Sequence, residues 1–283
     1  ISKETFILGN NWFMMFYLAT VFIGTIYPIF TQVLFDTKIS VGPPFYNLVI
    51  APIIIPFLIL MALGPKISWI KHKYDDFKSL IIILIFSCII NFLIFNYFES
   101  YNVISNLIII SSLFLIISTI KDFLSTTKTK SYFNLASFLS HIGFGFLIFF
   151  IILNHNLSKE FDLNIKVGER KKIENIEISF QDLIIKKKAN YNVVIGNFRI
   201  FDDNKKYEQI LNPEIRVYKN PQTLTFESAI KTSLKQDLYL TMSNMDGSDF
   251  YNVKFQIKPF MLWIWLAAFL TASGGLIRIF LKK

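Results

Sequence analysis

Cysteine is almost absent from this sequence, because Cys88 is the only one among 283 residues. A single thiol excludes a disulfide framework and any CxxC redox or zinc pair. Charged residues are scarce at 17%, against about 25% in average soluble domains, while hydrophobic residues reach 53%. These proportions exclude a disordered tail and argue against an ordinary cytosolic enzyme. The sequence also has no glycine-rich phosphate loop, Ser/His/Asp set or metal-ligand cluster, so it assigns no catalytic residue.

The hydrophobic residues are concentrated in six long runs. Each run is close to the roughly 20 residues that a helix needs to cross a bilayer, and none contains Asp, Glu or Lys. The sequence therefore predicts an α-helical polytopic membrane protein with about six transmembrane helices, of which the last follows an inserted β-rich extracytoplasmic domain. Because the chain starts with Ile1 rather than Met, we expect it to be a piece of a longer protein. The predicted helices are Trp12–Phe35, Tyr46–Leu63, Ser79–Phe98, Val103–Ile120, Phe133–Leu153 and Phe260–Phe280.

Lysine-rich loops predict the orientation of these helices. The short loops Gly64–Lys78 and Lys121–Lys130 carry most of the loop lysines, which the positive-inside rule assigns to the cytoplasmic or matrix side together with both chain ends. The loops Asp36–Pro44 and Glu99–Asn102 and the long segment Asn154–Lys258 then lie outside. That segment has 17 Lys+Arg and 14 Asp+Glu, a net +3 of the total +9, so most of the basic charge reflects topology. We therefore expect contact with membrane lipid and no binding of nucleic acid.

The outside segment has the pattern of a small β-rich domain. Apolar residues alternate from Ile176 to Phe180 and from Tyr251 to Ile257, and Asn192–Phe201 and Glu214–Tyr218 are also strand-like. Only Thr225–Ser233 is predicted as a short helix. The predicted organisation is a five-helix membrane region at 1–153, an extracytoplasmic β-rich domain at 154–258, and a final helix with a cytoplasmic tail at 259–283.

His141 is the strongest candidate for a functional residue. It lies about 12 Å into the fifth predicted helix, near the middle of a bilayer core about 30 Å thick. An ionisable side chain at that depth is costly and is a functional candidate by default. The alternatives are a neutral imidazole bonded to another helix, a proton relay, and a haem ligand. Gly143 and Gly145 would leave room for a flat macrocycle, although close helix packing would require the same glycines.

The segment Lys38–Asn47, with the sequence KISVGPPFYN, is predicted as a stiff outside loop. Its Gly42, Pro43 and Pro44 restrict the backbone and fix how Phe45 and Tyr46 are presented. This loop could be a rigid helix connection or an apolar wall for a ligand or partner at the outer membrane face. Elsewhere, we expect Cys88 to be a buried, inert thiol and His72 and His155 to be ordinary polar residues. A stripe of small residues at Ala267, Thr271 and Gly275 predicts a helix-packing face.

Taken together, these residues resemble the CcmF family, the haem lyase subunit of cytochrome c maturation in bacteria and plant mitochondria. The resemblance covers essentially the whole chain, but only the C-terminal half of the family's length. The most specific element is the KISVGPPFYN segment. The other elements are Gly24–Pro28, Leu63–Pro65, His141–Gly143, Asp237–Tyr239, Lys258–Phe260 and Trp263–Trp265.

This resemblance implies a function and a set of partners. In the family, haem arrives on the chaperone CcmE and is joined to the CXXCH motif of apocytochrome c, with CcmH/CcmI-type subunits handling thiols and apocytochrome. A separate membrane haem b is held by two histidines, one of which matches His141, so the expected cofactor is haem b with its iron bound by His141. The expected location is the bacterial inner membrane with a periplasmic β domain, or the mitochondrial inner membrane for an organellar protein.

Departures from the family pattern limit what this chain is expected to do alone. The family's Trp-rich WWD segment is absent, since the four tryptophans are Trp12, Trp69, Trp263 and Trp265. The second histidine ligand of haem b is also absent, so the expected haem lyase activity belongs to the full protein and complex, and this fragment alone is expected to be inactive. Two alternatives are a haem export or permease subunit and a non-catalytic membrane scaffold of the maturation complex.

Overall fold

A computed structural model describes residues 2–67, 77–98, 102–125, 132–202, 208–244 and 248–280. His72, Trp69 and parts of the predicted loops Gly64–Lys78, Glu99–Asn102 and Lys121–Lys130 lie outside these described residues. The chain forms two compact units. One is Ile1–Ile152 together with Ile264–Lys283, and the other is Leu153–Trp263.

The first unit is helical. All six helices are long and apolar enough to cross a membrane, which confirms the prediction from the hydrophobic runs. A single 3₁₀ turn, Gly64–Lys66, follows the second helix. The helices are α1 (Lys3–Phe35), α2 (Pro43–Leu63), α3 (Phe77–Phe98), α4 (Val103–Ser125), α5 (Tyr132–Leu157) and α6 (Met261–Phe280).

Two helices begin earlier than the apolar runs predict. Helix α1 starts at Lys3 rather than Trp12, because the Ser2 hydroxyl accepts a hydrogen bond from the Thr5 amide (3.4 Å) and caps the first turn. Helix α2 starts at Pro43 rather than Tyr46. Proline is favoured in the first turn, where its missing N–H has no helical acceptor. Hydropathy marks the apolar part of a helix, whereas capping decides where the helix starts.

Helix α4 is the most buried helix of this unit and packs against α2 and α3. Its Leu115 is fully buried, as is Leu58 of α2, and Ile83 of α3 joins the same core. Most large apolar side chains of α1 and α3 are exposed instead, as expected for helices that face lipid or other helices.

The second unit is a β-sandwich of two antiparallel sheets, which confirms the predicted β-rich domain before the last helix. The four-stranded sheet has the order β1-β10-β9-β8, and the six-stranded sheet has the order β2-β3-β4-β6-β7 with β5 paired to β4. The strands are β1 (Lys159–Ile165), β2 (Arg170–Ile173), β3 (Ile176–Lys187), β4 (Tyr191–Asp202), β5 (Glu208–Leu211), β6 (Glu214–Tyr218), β7 (Leu224–Glu227), β8 (Ala229–Thr232), β9 (Gln236–Asn244) and β10 (Tyr251–Pro259).

The sandwich core is filled by side chains from both sheets. Phe180 of β3 and Phe198 of β4 are fully buried and stack with their ring centroids 4.2 Å apart, and Phe255 of β10 is also fully buried. The alternation seen in the sequence is therefore the alternation of core-facing and outward-facing residues.

The predicted short helix at Thr225–Ser233 is wrong. This segment forms the two strands β7 and β8, which pair with β6 and β9 respectively. The chain therefore passes from one sheet to the other around Ser228. Each is an edge strand whose backbone bonds to one neighbouring strand, and β-branched residues such as Ile230 and Thr232 suit strands.

Candidate functional site

His141 lies inside α5, in the part of that helix long and apolar enough to cross a membrane. Its side chain is half-buried. The other described histidine, His155, is exposed and lies 14 residues further along the same helix, about 21 Å away along the axis. The two histidines are therefore too far apart to be ligands of the same iron atom.

Aromatic contacts show which way the His141 face of α5 is turned. Residues three apart on a helix share a face, which places Phe138 and Phe144 on either side of His141. The Phe138 ring stacks on Phe123 of α4, with centroids 4.2 Å apart. The Phe144 ring meets Phe57 of α2 edge-on at 5.6 Å. His141 thus lies on the face of α5 that is turned toward α2 and α4.

The imidazole of His141 makes no hydrogen bond within the part of the chain that the structure describes. The alternative of a neutral imidazole bonded to a neighbouring helix therefore has no partner among these residues. The described residues also contain no group of three His, Cys, Asp or Glu side chains that could hold a metal ion by themselves. His141 can therefore contribute one nitrogen ligand, and further ligands would have to come from elsewhere.

The two glycines near His141 are in close contact with other helices. A methyl group added to Gly143 would lie 2.6 Å from the backbone nitrogen of Thr271 in α6. One added to Gly145 would lie 2.7 Å from Ile116 in α4. Both glycines thus allow close helix packing, the alternative that the sequence left open. A haem beside them stays a prediction, and Thr271 and Ile116 occupy the positions directly against their Cα atoms.

The small-residue face of α6 differs by one residue from the predicted stripe. Gly274, not Gly275, packs against α5, where an added methyl group would meet the Ser140 side chain and lie 2.7 Å from the Ala136 carbonyl oxygen. Gly275 has no atom within 4 Å of that position. A spacing of four residues over two turns drifts away from the contact line of a 3.6-residue helix, so the third position falls at Gly274.

The second half of the predicted outer loop, from Pro43 to Asn47, is helical. Gly42 is the N-cap of α2, and Pro43 and Pro44 form its first turn. Pro43, Pro44 and Phe45 are exposed, whereas Tyr46 is half-buried with its ring against Gly24 of α1. A role of these residues as a surface for haem or a partner stays a prediction. Cys88 is exposed on an apolar face of α3 with Leu84 and Phe92, so the expectation of a buried thiol is wrong.

Two motifs of the family resemblance, Lys258–Phe260 and Trp263–Trp265, meet at the start of α6 and contact the turn between β8 and β9. The Trp263 indole donates a hydrogen bond to the Leu234 carbonyl oxygen (2.9 Å), and the Phe260 amide donates one to the Lys235 carbonyl oxygen (3.0 Å). Phe260 has φ 61°, a left-handed conformation that turns the chain from β10 into α6. Both bonds fix the turn between β8 and β9 against this junction.

Asp237 and Tyr239 form a polar cluster on the outward face of β9. Asp237 is 5% exposed, accepts a hydrogen bond from the Thr232 hydroxyl (3.3 Å) and pairs in register with Lys258 of β10. The Lys258 ammonium lies over the Tyr239 ring, 4.7 Å from its centroid. Burial, and then the charge of Asp237, raise the pKa of Tyr239. The pairing of β9 with β10 brings Lys258 to the face that Asp237 and Tyr239 share.

Comparisons with known proteins agree with the sequence resemblance. Residues 156–259 match the protein-family model described as the CcmF C-terminal beta-sandwich. The cytochrome c-type biogenesis protein CcmF of Haemophilus influenzae is 27% identical over all of this chain and 45% of its own length. The Escherichia coli K12 protein of the same name is 26% identical over 99% of this chain and 44% of its own length.

A solved structure shows the same fold. The cytochrome c heme lyase CcmF superposes with a TM-score of 0.78 at 17% identity, covering 98% of this chain and 46% of that protein. The chain therefore spans less than half the length of the relatives that it matches. The predicted resemblance to the C-terminal half of CcmF is confirmed.

Proposed function

We propose, from the similarity to CcmF, that this chain is the C-terminal part of a CcmF-type haem lyase. The complete protein would take haem from the chaperone CcmE and join it to the CXXCH motif of apocytochrome c, together with CcmH/CcmI-type subunits. Within the complete protein, the role of this chain would be to bind a membrane haem b through His141. The observation that carries this assignment is the position of His141, whose imidazole has no hydrogen-bond partner among the described residues and lies on the bundle-facing side of an apolar helix.

The surroundings of His141 suit an axial ligand. An imidazole offers one nitrogen lone pair to iron, and the apolar rings of Phe138 and Phe144 on either side would exclude water from it. Gly143 and Gly274 hold α5 and α6 together and thereby fix the backbone that carries the imidazole. A bound haem b would supply one-electron transfer to the iron of the incoming haem.

The ligation reaction would require no reacting group from this chain. A cysteine thiol of the apocytochrome adds across a haem vinyl group: the S–H bond and the vinyl π bond break while one C–S bond and one C–H bond form. The substrates therefore supply both reacting groups. The protein would supply position and electrons rather than a nucleophile. This division of roles agrees with a sequence that has no catalytic triad. The positive-inside rule places the β domain on the periplasmic side of a bacterial inner membrane, or on the equivalent side in mitochondria.

The test is the absorbance of the haem in the full-length protein. We expect His141→Ala to lose most of the b-type signal in a reduced-minus-oxidised spectrum, normalised to the amount of purified protein. His155→Ala changes an exposed histidine of the same helix and should leave the spectrum unchanged. Gly274→Ala disturbs the packing of α5 against α6 but keeps the imidazole, so it separates loss of a ligand from loss of structure. An unchanged signal in His141→Ala would refute the assignment and favour a scaffold without haem in this region.

A further inference from the structure

The two sheets of the β domain differ in length. Strands β3 and β4 have 12 residues each, whereas the longest strands of the four-stranded sheet have nine. At about 3.3 Å per residue, the long hairpin spans about 40 Å and the facing strands about 30 Å. One end of the six-stranded sheet therefore extends beyond the sheet that covers it.

An ion pair shows which end extends. Lys159 begins β1 and pairs with Glu174 in the turn between β2 and β3 (2.5 Å). Ile176, the first residue of β3, is therefore near the end of the sandwich where β1 begins and β10 finishes. Lys187, the last residue of β3, lies at the opposite end, away from the points where the chain continues into α5 and α6.

Apolar side chains are exposed on the inner face of this extended end. The register places Ile185, Val194, Ile215 and Phe226 in one row across four strands, and Lys187, Asn192, Val217 and Leu224 in the next row. Ile215 is buried in the sandwich core, so both rows belong to the inner face. We name the four exposed apolar residues the uncovered patch: Ile185 (72% exposed), Val217 (37%), Leu224 (55%) and Phe226 (47%).

Two lysines lie at this end on the same side as the uncovered patch, and we name them the lysine rim. Lys187 belongs to the second row, and Lys219 follows Val217 by two residues. The Lys219 ammonium donates hydrogen bonds to the Lys188 and Ala189 carbonyl oxygens (3.5 and 3.3 Å), which hold the two turns together. Lys186 and Lys188 do not belong to the rim, because Lys186 alternates to the outer face and the Lys188 ammonium bonds the Tyr191 hydroxyl on that face (3.0 Å).

The nearby carboxylates do not neutralise this rim. Glu214 and Glu227 both pair with Arg216, at 2.7 and 3.7 Å. Among the described residues, neither Lys187 nor Lys219 has a carboxylate partner. The surface therefore combines exposed apolar side chains with uncompensated positive charge.

We propose that the uncovered patch and the lysine rim together dock a segment of a partner polypeptide that carries apolar side chains flanked by Asp or Glu. Contiguous exposed apolar side chains on one sheet face mark an interaction surface, and the lysines select the charge of what binds there. A polypeptide fits better than anionic lipid, because an extended chain presents its side chains at the same two-residue spacing that separates the two rows along the strands. The proposal does not depend on haem binding by His141.

Peptide binding to the full-length protein in nanodiscs of uncharged lipid tests this proposal. The probes are two fluorescein-labelled synthetic peptides with the same apolar residues, separated by Asp and Glu in one and by Lys in the other. We expect the acidic peptide to bind at least about tenfold more tightly, and its affinity to fall with added salt. The double variants Lys187→Glu/Lys219→Glu and Ile185→Ser/Leu224→Ser should each weaken its binding about tenfold.

Matched controls lie on β8, in the other sheet. Lys231→Glu and Ile230→Ser change an exposed lysine and a 53% exposed isoleucine outside the proposed surface, and should leave peptide binding unchanged. Equal binding of the two peptides, no binding of the acidic one, or equal losses in the β8 controls would overturn the proposal. Displacement of the acidic peptide by vesicles of anionic lipid, with the displacement lost in Lys187→Glu/Lys219→Glu, would overturn it in favour of a lipid site.

Discussion

The ring of Tyr46 lies so close to Gly24 that a methyl group added to Gly24 would be 2.6 Å from the Tyr46 hydroxyl oxygen. Tyr46 belongs to the first turn of α2, and Gly24 lies in the middle of α1. Two segments that carry the family resemblance are therefore in direct contact. The missing side chain of Gly24 provides the space that the tyrosine occupies.

Gly24→Ala should destabilise the helical unit by about 1–3 kcal/mol, because the added methyl group forces the Tyr46 ring out of its position. Tyr46→Ala in the same background should recover part of that loss, since the smaller side chain leaves room for the methyl group. Thermal unfolding of the four proteins of this double-mutant cycle, in one detergent, measures the coupling. Strictly additive effects would show that the two residues do not compete for space.

The neighbouring glycines of α6 should respond differently to the same change. Gly274→Ala brings a methyl group against the backbone of α5, 2.6 Å from the Ser140 nitrogen, so the two helices must separate and the melting temperature should fall. Gly275→Ala meets no atom within 4 Å and should be neutral or slightly stabilising, because alanine favours the helix by up to about 1 kcal/mol. A lower melting temperature for Gly275→Ala than for Gly274→Ala would instead support the stripe predicted from the sequence, in which Gly275 packs against another helix.

The two tryptophans at the start of α6 should differ as well. Trp263→Phe removes the hydrogen bond to the Leu234 carbonyl oxygen, which we expect to cost about 0.5–1.5 kcal/mol. Hydrogen exchange of the amides in the turn between β8 and β9 should become faster. Trp265 is 68% exposed and has no hydrogen bond to the described residues, so Trp265→Phe should leave this exchange unchanged. Equal rates in the two variants would contradict the role of the indole.

One ion pair on the outward face of the four-stranded sheet should make the β domain sensitive to acid. A hydrogen bond from Lys254 lowers the pKa of Glu160 below its ordinary value of 4.5, and the carboxylate raises the pKa of Lys254 above 10.5. Since the Glu160 pKa is lowered by folding, its stabilisation is complete above about pH 4.5 and is lost as the pH falls through the folded-state value. Loss on the alkaline side begins only above pH 10.5, where Lys254 deprotonates.

Hydrogen exchange in β1 and β10 measures this effect. The amides of the Glu160→Gln variant should exchange slightly faster than those of the unchanged protein at pH 7. This difference should shrink as the pH falls through the lowered pKa of Glu160. The effect should be small, because solvent screens an exposed pair. Asp182→Asn changes an exposed carboxylate of β3, in the other sheet, and should leave exchange in β1 and β10 unchanged at every pH. A difference that stays the same at every pH down to acid unfolding would refute the electrostatic explanation.

Local sequence signals were sufficient where a structural element satisfies its own backbone. A membrane helix makes all of its hydrogen bonds internally, so the apolar runs identified six helices, with their ends shifted where Ser2 or Pro43 supplied a better start. The segment Thr225–Ser233 was assigned wrongly, because a strand depends on partners elsewhere in the chain. Its partners, β6 and β9, lie before and after it and in different sheets.

The candidate site shows the same division between features that depend on local sequence and features that depend on distant residues. Composition and periodicity determined that His141 lies within a membrane helix and that a β domain precedes the last one. Only the tertiary structure decided that His141 faces α2 and α4, that Gly274 rather than Gly275 contacts α5, and that one end of the six-stranded sheet is uncovered. The apolar run of a membrane helix and the alternation of a strand are local patterns in the sequence. The direction in which a helix face points, and whether another sheet covers a strand, depend on residues distant in sequence.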